Sequence, residues 1–231
     1  MLRKPLAIDL YAGLGGWSDG LLAEGWDVVG FDIERHEYGE HRYPAQLVIQ
    51  DVLTLHGSQF RDAALIVASP PCQAYSYRAM PWSRAKALPP PDNTLFEACF
   101  RVQREACAAA GHHVPMVVEN VRGAQKWVGR ARWNWGSFYL WGDVPALMPI
   151  TCAGSKVPGF RFDGSGRSFQ SASVDGIKAP AGTRRFNDGP RTPESLASSS
   201  SRSPARKAAS AMIAKIPLPL ARHIAATYGR R

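Results

Sequence analysis

The chain has 231 residues, 45% of them hydrophobic and 20% charged, which suits one sizeable α/β core and argues against a disordered chain or two full domains. No apolar run approaches the roughly 20 residues of a membrane helix, and the four cysteines, Cys72, Cys99, Cys107 and Cys152, include no Cys-x-x-Cys pair, so neither a zinc site nor a disulfide framework is indicated. The net charge is +9, and ten Lys/Arg against four Asp/Glu between positions 151 and 210 concentrate the excess there, which suits a polyanion such as nucleic acid or else a solvated basic loop.

The N-terminal "MLRKPLAIDLY" passes from two basic residues straight into a strand pattern, without a long apolar stretch or a small-residue cleavage site, so a cytoplasmic location is expected. "LAIDLY" reads as the first strand and "GWSDGLLAEG" as a helix ended by Gly25. "WDVVGFDIE", "QLVIQDV", "ALIVASP" and "PMVVENV" read as four more strands. Strands alternating with helices predict a parallel sheet with crossovers. Thr94 with Glu97 reads as a capping box opening the helix "LFEACFRVQREACAAAG", which Gly111 stops; Cys99 and Cys107 lie on it as core fillers.

Beyond Val121 the alternation is lost. "GAQKWVGRARWNWGSFYLWGDVP" holds four of the seven tryptophans, with "SFYLWG" a further strand. From Thr151 to about Ser203 the sequence is rich in Gly, Pro, Ser and Arg and reads as loop and linker. "IPLPLARHIAATYG" then predicts a C-terminal helix docking back on the sheet.

Three segments carry chemistry at successive strand ends. "DLYAGLGGWSDGL" places Gly13, Gly15 and Gly16 between the first strand and helix, where a ligand can approach the backbone and helix amides point toward it. Asp32 follows about 20 residues later, the spacing at which nucleotide-binding α/β folds place a carboxylate on a ribose. Asp51 ends the third strand, within reach of an adenine amine; capping of local helices is the plainer role for both carboxylates. No Lys-Ser/Thr phosphate loop follows the glycines, which favours an adenosine ligand without a triphosphate. In "SPPCQAYS", Cys72 follows two prolines at the end of an apolar strand, either as a small hydrophobe in a turn or as a nucleophile on a stiff mount.

"DLYAGLGG", "FDIE", "QDV", "SPPCQAYS", "VVENV" and "IPLPLARHIA", in this order, resemble the motif series of the DNA cytosine-5 methyltransferases over most of residues 6 to 121 and again near 213 to 226. The resemblance implies an α/β, Rossmann-like S-adenosylmethionine-dependent methyltransferase fold: a mostly parallel sheet with a small irregular basic recognition region. It implies S-adenosylmethionine as cofactor, with S-adenosylhomocysteine as product. Tyr11, Ala12, Gly13, Leu14, Gly15, Gly16, Asp32, Ile33, Asp51, Val52 and Pro71 stand at the cofactor-binding positions. Tyr11 replaces the usual phenylalanine on the adenine, and Asp32 the usual glutamate on the ribose.

By the same resemblance Cys72 is the nucleophile that adds to carbon 6 of cytosine. Glu119 binds ring nitrogen 3 and the exocyclic amine, and Asn120 holds that loop. The base must be flipped from the duplex to reach a thiol. The stretch after Cys72 offers Tyr75, Tyr77 and Trp82 to stack or wedge, and Arg78, Arg84 and Lys86 for phosphates. The family's Gln-x-Arg-x-Arg segment is absent; Arg132, or Arg130, is the candidate for its cytosine-carbonyl contact. Ala214 and Lys215 replace the family's Asn-Ser before the last helix, which leaves closure of the cofactor site from that side unsupported. Some sixty residues remain for target recognition, implying many phosphate contacts and few to base edges.

The expected organisation is a catalytic and cofactor-binding domain over 1–150, a reduced target-recognition region or flexible insertion over 151–210, and a C-terminal helix over 211–231 packing back on the catalytic domain. The expected partner is double-stranded DNA, with no membrane and no metal, for a monomer of the kind found in phages and prophages. Two other readings stay open: a tRNA cytosine-5 methyltransferase, and a catalytically impaired nucleic-acid-binding protein of the same fold.

Overall fold

The computed structural model describes residues 3–76, 89–148, 207, 211–212 and 214–229. Residues 151–206, most of the basic segment, and Cys152 within it, lie outside these, as do Tyr77, Arg78, Trp82, Arg84 and Lys86.

One seven-stranded sheet organises the chain, in the order β3-β2-β1-β4-β5-β7-β6. β1 (Leu6–Leu10), β2 (Asp27–Asp32), β3 (Gln46–Ile49), β4 (Leu65–Ala68) and β5 (Met116–Asn120) run parallel. β4 and β5 are buried along their whole length, as near-continuous apolar runs covered on both faces should be. β3 at the edge is half-buried at Leu47 and Val48 and exposed at Gln46 and Ile49. Strand order reverses between β1 and β4, which opens a crevice at the C-terminal strand ends where α/β sheets bind ligands.

Successive strand residues feed opposite faces. Ile8, Leu10, Ile66, Met116 and Val118 pack with Phe96, Cys99, Val102 and Ala106 of α2 (Thr94–Ala110). Ala7, Leu65, Val67 and Val117 pack on the other side with Trp17 and Leu21 of α1 (Gly16–Ala23) and Leu220 and Ile224 of the C-terminal helix Leu218–Tyr228. That helix lies against α1 so closely that a Cβ on Gly20 would sit 2.4 Å from the Ala221 Cβ.

Two local expectations need correction. The N-cap residue of α2 is Asn93, which makes no side-chain cap bond; the preceding Asp92 accepts through Oδ1 from the Thr94 amide at 2.8 Å and its hydroxyl at 2.5 Å. Thr94 is therefore already helical, and its hydroxyl serves a charged acceptor instead of forming a box with Glu97. Cys99 is buried in the core and half-buried Cys107 packs against it, its sulfur also accepting from the Val114 amide at 3.2 Å in the turn after α2. The tryptophan-rich stretch is more regular than its composition suggests. A short helix α3 (Gln125–Val128) is followed by β6 (Trp133–Trp135) and β7 (Phe138–Gly142), an antiparallel hairpin in which Trp135 pairs with Phe138. Its two-residue loop starts on Gly136 at φ 55°, the left-handed geometry that two-residue hairpins require. The C-terminal helix is α4 below.

Candidate active site

A cavity of about 370 Å³ opens at the C-terminal strand ends. It is lined by Tyr11, Ala12, Gly13, Leu14 and Gly16 after β1, Asp32 and Ile33 after β2, Asp51 and Val52 after β3, and Pro71 after β4. Gly15 of the same loop faces away: at φ 72°, a Cβ there would lie 2.3 Å from Pro44 Cδ.

Asp32 ties the glycine loop to the sheet, its Oδ2 accepting from the Gly13 amide at 2.8 Å. Burial raises the Asp32 pKa, but bonds from His36, Gly13 and Glu34 outweigh it and hold the carboxyl below its ordinary value, hence ionised. Tyr11 adopts φ 58°, uncommon for a bulky residue, and its hydroxyl donates to the Leu95 carbonyl at 2.8 Å in the first turn of α2. The ring is thereby pinned as a cavity wall. Asp51 both lines the cavity and caps the following 3₁₀ turn, accepting from the Leu53 amide at 2.9 Å.

Sequence reasoning missed Asp9, hidden in an apolar strand. It is 1% exposed, borders the cavity, and accepts from the Ser18 hydroxyl at 2.6 Å. Burial pushes its pKa up to about 8 despite that bond. The other unforeseen wall is Ala211, Ala214, Lys215 and Ile216. The Ile216 amide nitrogen stands 2.3 Å from where a Gly16 Cβ would lie, so closure from this side exists without the Asn-Ser pair.

At the rim, Cys72 lies between the cavity-lining residues Pro71 and Gln73 and is half-buried. Burial raises its thiol pKa, the Ser76 hydroxyl lowers it and the Glu119 carboxylate raises it further. Register pairs Ala68 with Val118, which brings the segments after β4 and at the end of β5 alongside each other. Glu119 is 8% exposed, and burial pushes its pKa up to about 8, the Ser69 hydroxyl acting the other way. Ser69 also accepts from the Trp17 indole at 3.0 Å. The Asn120 amide donates to the Pro70 carbonyl at 2.9 Å while its Oδ1 accepts from the Val121 amide at 2.8 Å. The residue after Glu119 thus clamps the Pro-Pro mount of Cys72.

Arg130 and Arg132 are exposed. The Arg132 amide donates to Leu140 at 2.9 Å, on the strand beyond β5, and neither arginine lines the cavity. Tyr75 is 3% exposed with its hydroxyl on Asn93 Oδ1 at 2.9 Å, so it packs the core and is not available to stack on a base. Its side chain turns inward because the 3₁₀ turn Gln73–Tyr75 follows Cys72 directly. Among the described residues, no group of His, Cys, Asp and Glu could hold a metal ion, and no helix is long and apolar enough to cross a membrane.

Residues 6–127 match the family model of the C-5 cytosine-specific DNA methylases. The chain belongs to this family. Its fold is accordingly α/β and Rossmann-like, of the S-adenosylmethionine-dependent methyltransferase type. No curated protein matches the chain. Among solved structures, it is 25% identical to a protein described as a DNA modification methyltransferase encoded within an E. coli prophage, over 54% of this chain and 34% of that one, with a TM-score of 0.38. It is 17% identical to the S. pombe Dnmt2 methyltransferase over 54% of this chain and 36% of that one, at a TM-score of 0.35. A Pyrococcus abyssi tRNA (uracil-54, C5)-methyltransferase in complex with S-adenosyl-L-homocysteine is 16% identical over 53% of this chain and 26% of that one, at 0.31. The methylase chain spans about a third of the length of the first two structures.

Proposed function

We propose that the protein transfers a methyl group from S-adenosylmethionine to carbon 5 of cytosine in double-stranded DNA, through a covalent bond between Cys72 and carbon 6 of a flipped-out base. The observation that carries this reading is the meeting of a half-buried thiol and a carboxyl of raised pKa at adjacent strand ends, on the rim of a cavity with an adenosine-type lining.

The cavity fits the cofactor by its own chemistry. Asp32 is ionised, as a ribose hydroxyl pair requires, and Asp51 offers an acceptor to an amine. Above Gly13, at φ 51°, no atom comes closer than 4.0 Å to a Cβ position, so the backbone there is open to a ligand. Tyr11, Ala12, Leu14, Gly16, Ile33, Val52 and Pro71 complete the walls, and Gly15 shapes the turn. S-adenosylmethionine, when bound, supplies an electrophilic methyl on a sulfonium.

The chain's residues supply the activation of the base. The Cys72 thiol gives its proton to water and its sulfur forms a bond to carbon 6, which pushes electron density toward ring nitrogen 3 and leaves carbon 5 nucleophilic. Glu119, protonated below about pH 8, donates to nitrogen 3 as that charge develops. Asn120 holds the prolines and hence the thiol. After methylation the proton on carbon 5 passes to water, the bonding pair it leaves forms the carbon 5–carbon 6 double bond, the sulfur–carbon bond breaks to free Cys72 as thiolate, and nitrogen 3 returns its proton to Glu119. Arg132 is proposed to approach the cytosine carbonyl only once DNA is bound. Residues 1–150 carry this chemistry, 151–210 meet phosphates, and 211–231 close the cofactor side. A single copy suffices.

The test is transfer of labelled methyl from S-adenosylmethionine to mixed-sequence duplex DNA and, in parallel, to tRNA. DNA labelling that Cys72→Ala abolishes is expected, with a Cys72-dependent adduct on duplex containing 5-fluorocytosine. Labelling of tRNA alone moves the substrate to RNA. The absence of both label and adduct would refute catalysis and leave a binding protein.

A further inference from the structure

The cavity is lopsided in charge. Asp9, Asp32, Glu34 and Asp51 face it, against only His36 and Lys215 as basic residues among the described lining. His36 is taken up on the β2 side, with Nε2 3.5 Å from Asp32 Oδ1 and Nδ1 3.5 Å from Glu34 Oε1. Lys215 stands elsewhere. It directly precedes Ile216, whose backbone touches Gly16 at the start of α1, and its Nζ lies 2.6 Å from Asp19 Oδ2. Lysine and aspartate are 27% and 35% exposed, and of the two Lys215 lines the cavity while Asp19 stands behind it on α1.

An adenosine-bearing amino acid brings two different ends. The adenosine end seeks carboxylates, and Asp32 and Asp51 cluster on the β2–β3 side. The amino-acid end carries a carboxylate of its own, which a cavity bordered by Asp32, Glu34 and Asp51 would repel unless a cation met it, Asp9 being kept largely protonated by its burial. An ammonium has three donors, and Asp19 engages one side of it, which leaves donors for a second anion.

We propose that Lys215 binds the carboxylate of the amino-acid end of the cofactor and so selects S-adenosylmethionine over adenosine thioethers lacking that group. This rests on the S-adenosylmethionine reading above. The lysine does the work on the side where the resemblance had left the site without its Asn-Ser pair. The plainer role, a surface ion pair that merely fastens the C-terminal segment to α1, makes different predictions.

Calorimetric titration of the full chain with two ligands separates them: S-adenosylhomocysteine, and 5′-methylthioadenosine, which keeps the adenosine and sulfur but lacks the amino-acid group. Lys215→Met keeps the apolar stem and removes the charge. It is expected to weaken S-adenosylhomocysteine at least about tenfold, the scale of a charge-assisted hydrogen bond, while changing 5′-methylthioadenosine less than about twofold; Lys215→Arg should restore most of the difference. Asp19→Asn, which breaks the ion pair but keeps the lysine, should hold or tighten S-adenosylhomocysteine. Equal weakening of both ligands by Lys215→Met, or a loss in Asp19→Asn matching that in Lys215→Met, would overturn the assignment in favour of a fastening role. So would no change at all. Those results leave the cofactor reading standing, whereas a wild-type chain that binds neither ligand takes down the cofactor reading and this inference with it.

Discussion

Glu119 is a buried carboxyl whose pKa is pushed up to about 8, and this makes a stability prediction independent of any assay of activity. The unfolded chain releases the Glu119 proton near the ordinary value of 4.5, whereas the folded chain keeps it to about 8. Between those values the folded state binds more protons than the unfolded one, so stability falls as pH rises, by up to about 1.4 kcal/mol per pH unit. From pH 5.5 to 7.5 Glu119 alone therefore removes up to about 2.7 kcal/mol, a large share of the ~5–15 kcal/mol typical of a domain. Glu119→Gln keeps the shape, carries no proton to lose, and should flatten that part of the slope. Asp9, raised by burial to about 8 as well, adds a second contribution of the same sign, which Asp9→Asn should remove separately. Urea melts followed by the fluorescence of the seven tryptophans at pH 5.5, 6.5 and 7.5 measure the slopes. A wild-type stability that is level or rises over this range, or a slope untouched by Glu119→Gln, would refute the burial argument for a neutral carboxyl beside Cys72.

The same carboxyl governs the thiol, because its charge raises the Cys72 pKa. Alkylation of Cys72 by iodoacetamide should run faster in Glu119→Gln than in wild type above about pH 8, where Glu119 is ionised, and alike below it. Asn120→Ala removes the bond to Pro70 and should cost about 1–3 kcal/mol in urea melts, with slower adduct formation on 5-fluorocytosine duplex. Gly20→Ala sets a helix-propensity gain of about 1 kcal/mol against overpacking of about 1–3 kcal/mol. The new Cβ would meet Ala221 C at 2.5 Å and Arg222 N at 2.6 Å, backbone atoms that no rotamer change can move, so overpacking wins and the melting temperature falls by several degrees. Gly25→Ala, with no neighbour within 4 Å but φ 82°, should lose only the ~1–2 kcal/mol of left-handed strain.

The sheet was legible because its central strands are buried on both faces and so read as uninterrupted apolar runs, as "ALIVA" and "PMVV" do. The hairpin β6–β7 was half-legible. Its second strand carried the signal, but Trp133–Trp135 was masked by arginines and by being only three residues long, although Gly136-Ser137 between two aromatic runs is a hairpin mark. Tyr75 was misassigned for a different reason: beside a nucleophile an aromatic invites a ligand role, and only the third dimension reveals Asn93, at the N-cap of α2, taking its hydroxyl. Asp9 and Lys215 were illegible in kind. One lay unremarked inside an apolar strand and the other at a lost motif, and each gains meaning only from a partner on another element, Ser18 and Asp19 of α1.

Gly16 is where sequence and structure agree on the residue but differ on the cause. As part of a glycine loop it reads as room for a ligand, yet the atom that would collide with its Cβ is the Ile216 amide nitrogen. Gly20, one turn on, meets Ala221 and Arg222 in the same way. Two glycines on one face of α1 thus form a track along which residues 214 to 222 lie, fixed near its ends by Lys215 to Asp19 at 2.6 Å and Arg222 to Glu24 at 2.7 Å. The cavity wall contributed by Ala214, Lys215 and Ile216 depends on that track. A methylase whose motifs are separated by a long intervening segment needs its last element returned to its first. Small residues on α1 achieve this by letting backbone meet backbone, so the loop that faces the ligand and the helix face that recovers the C-terminus are one continuous stretch of sequence.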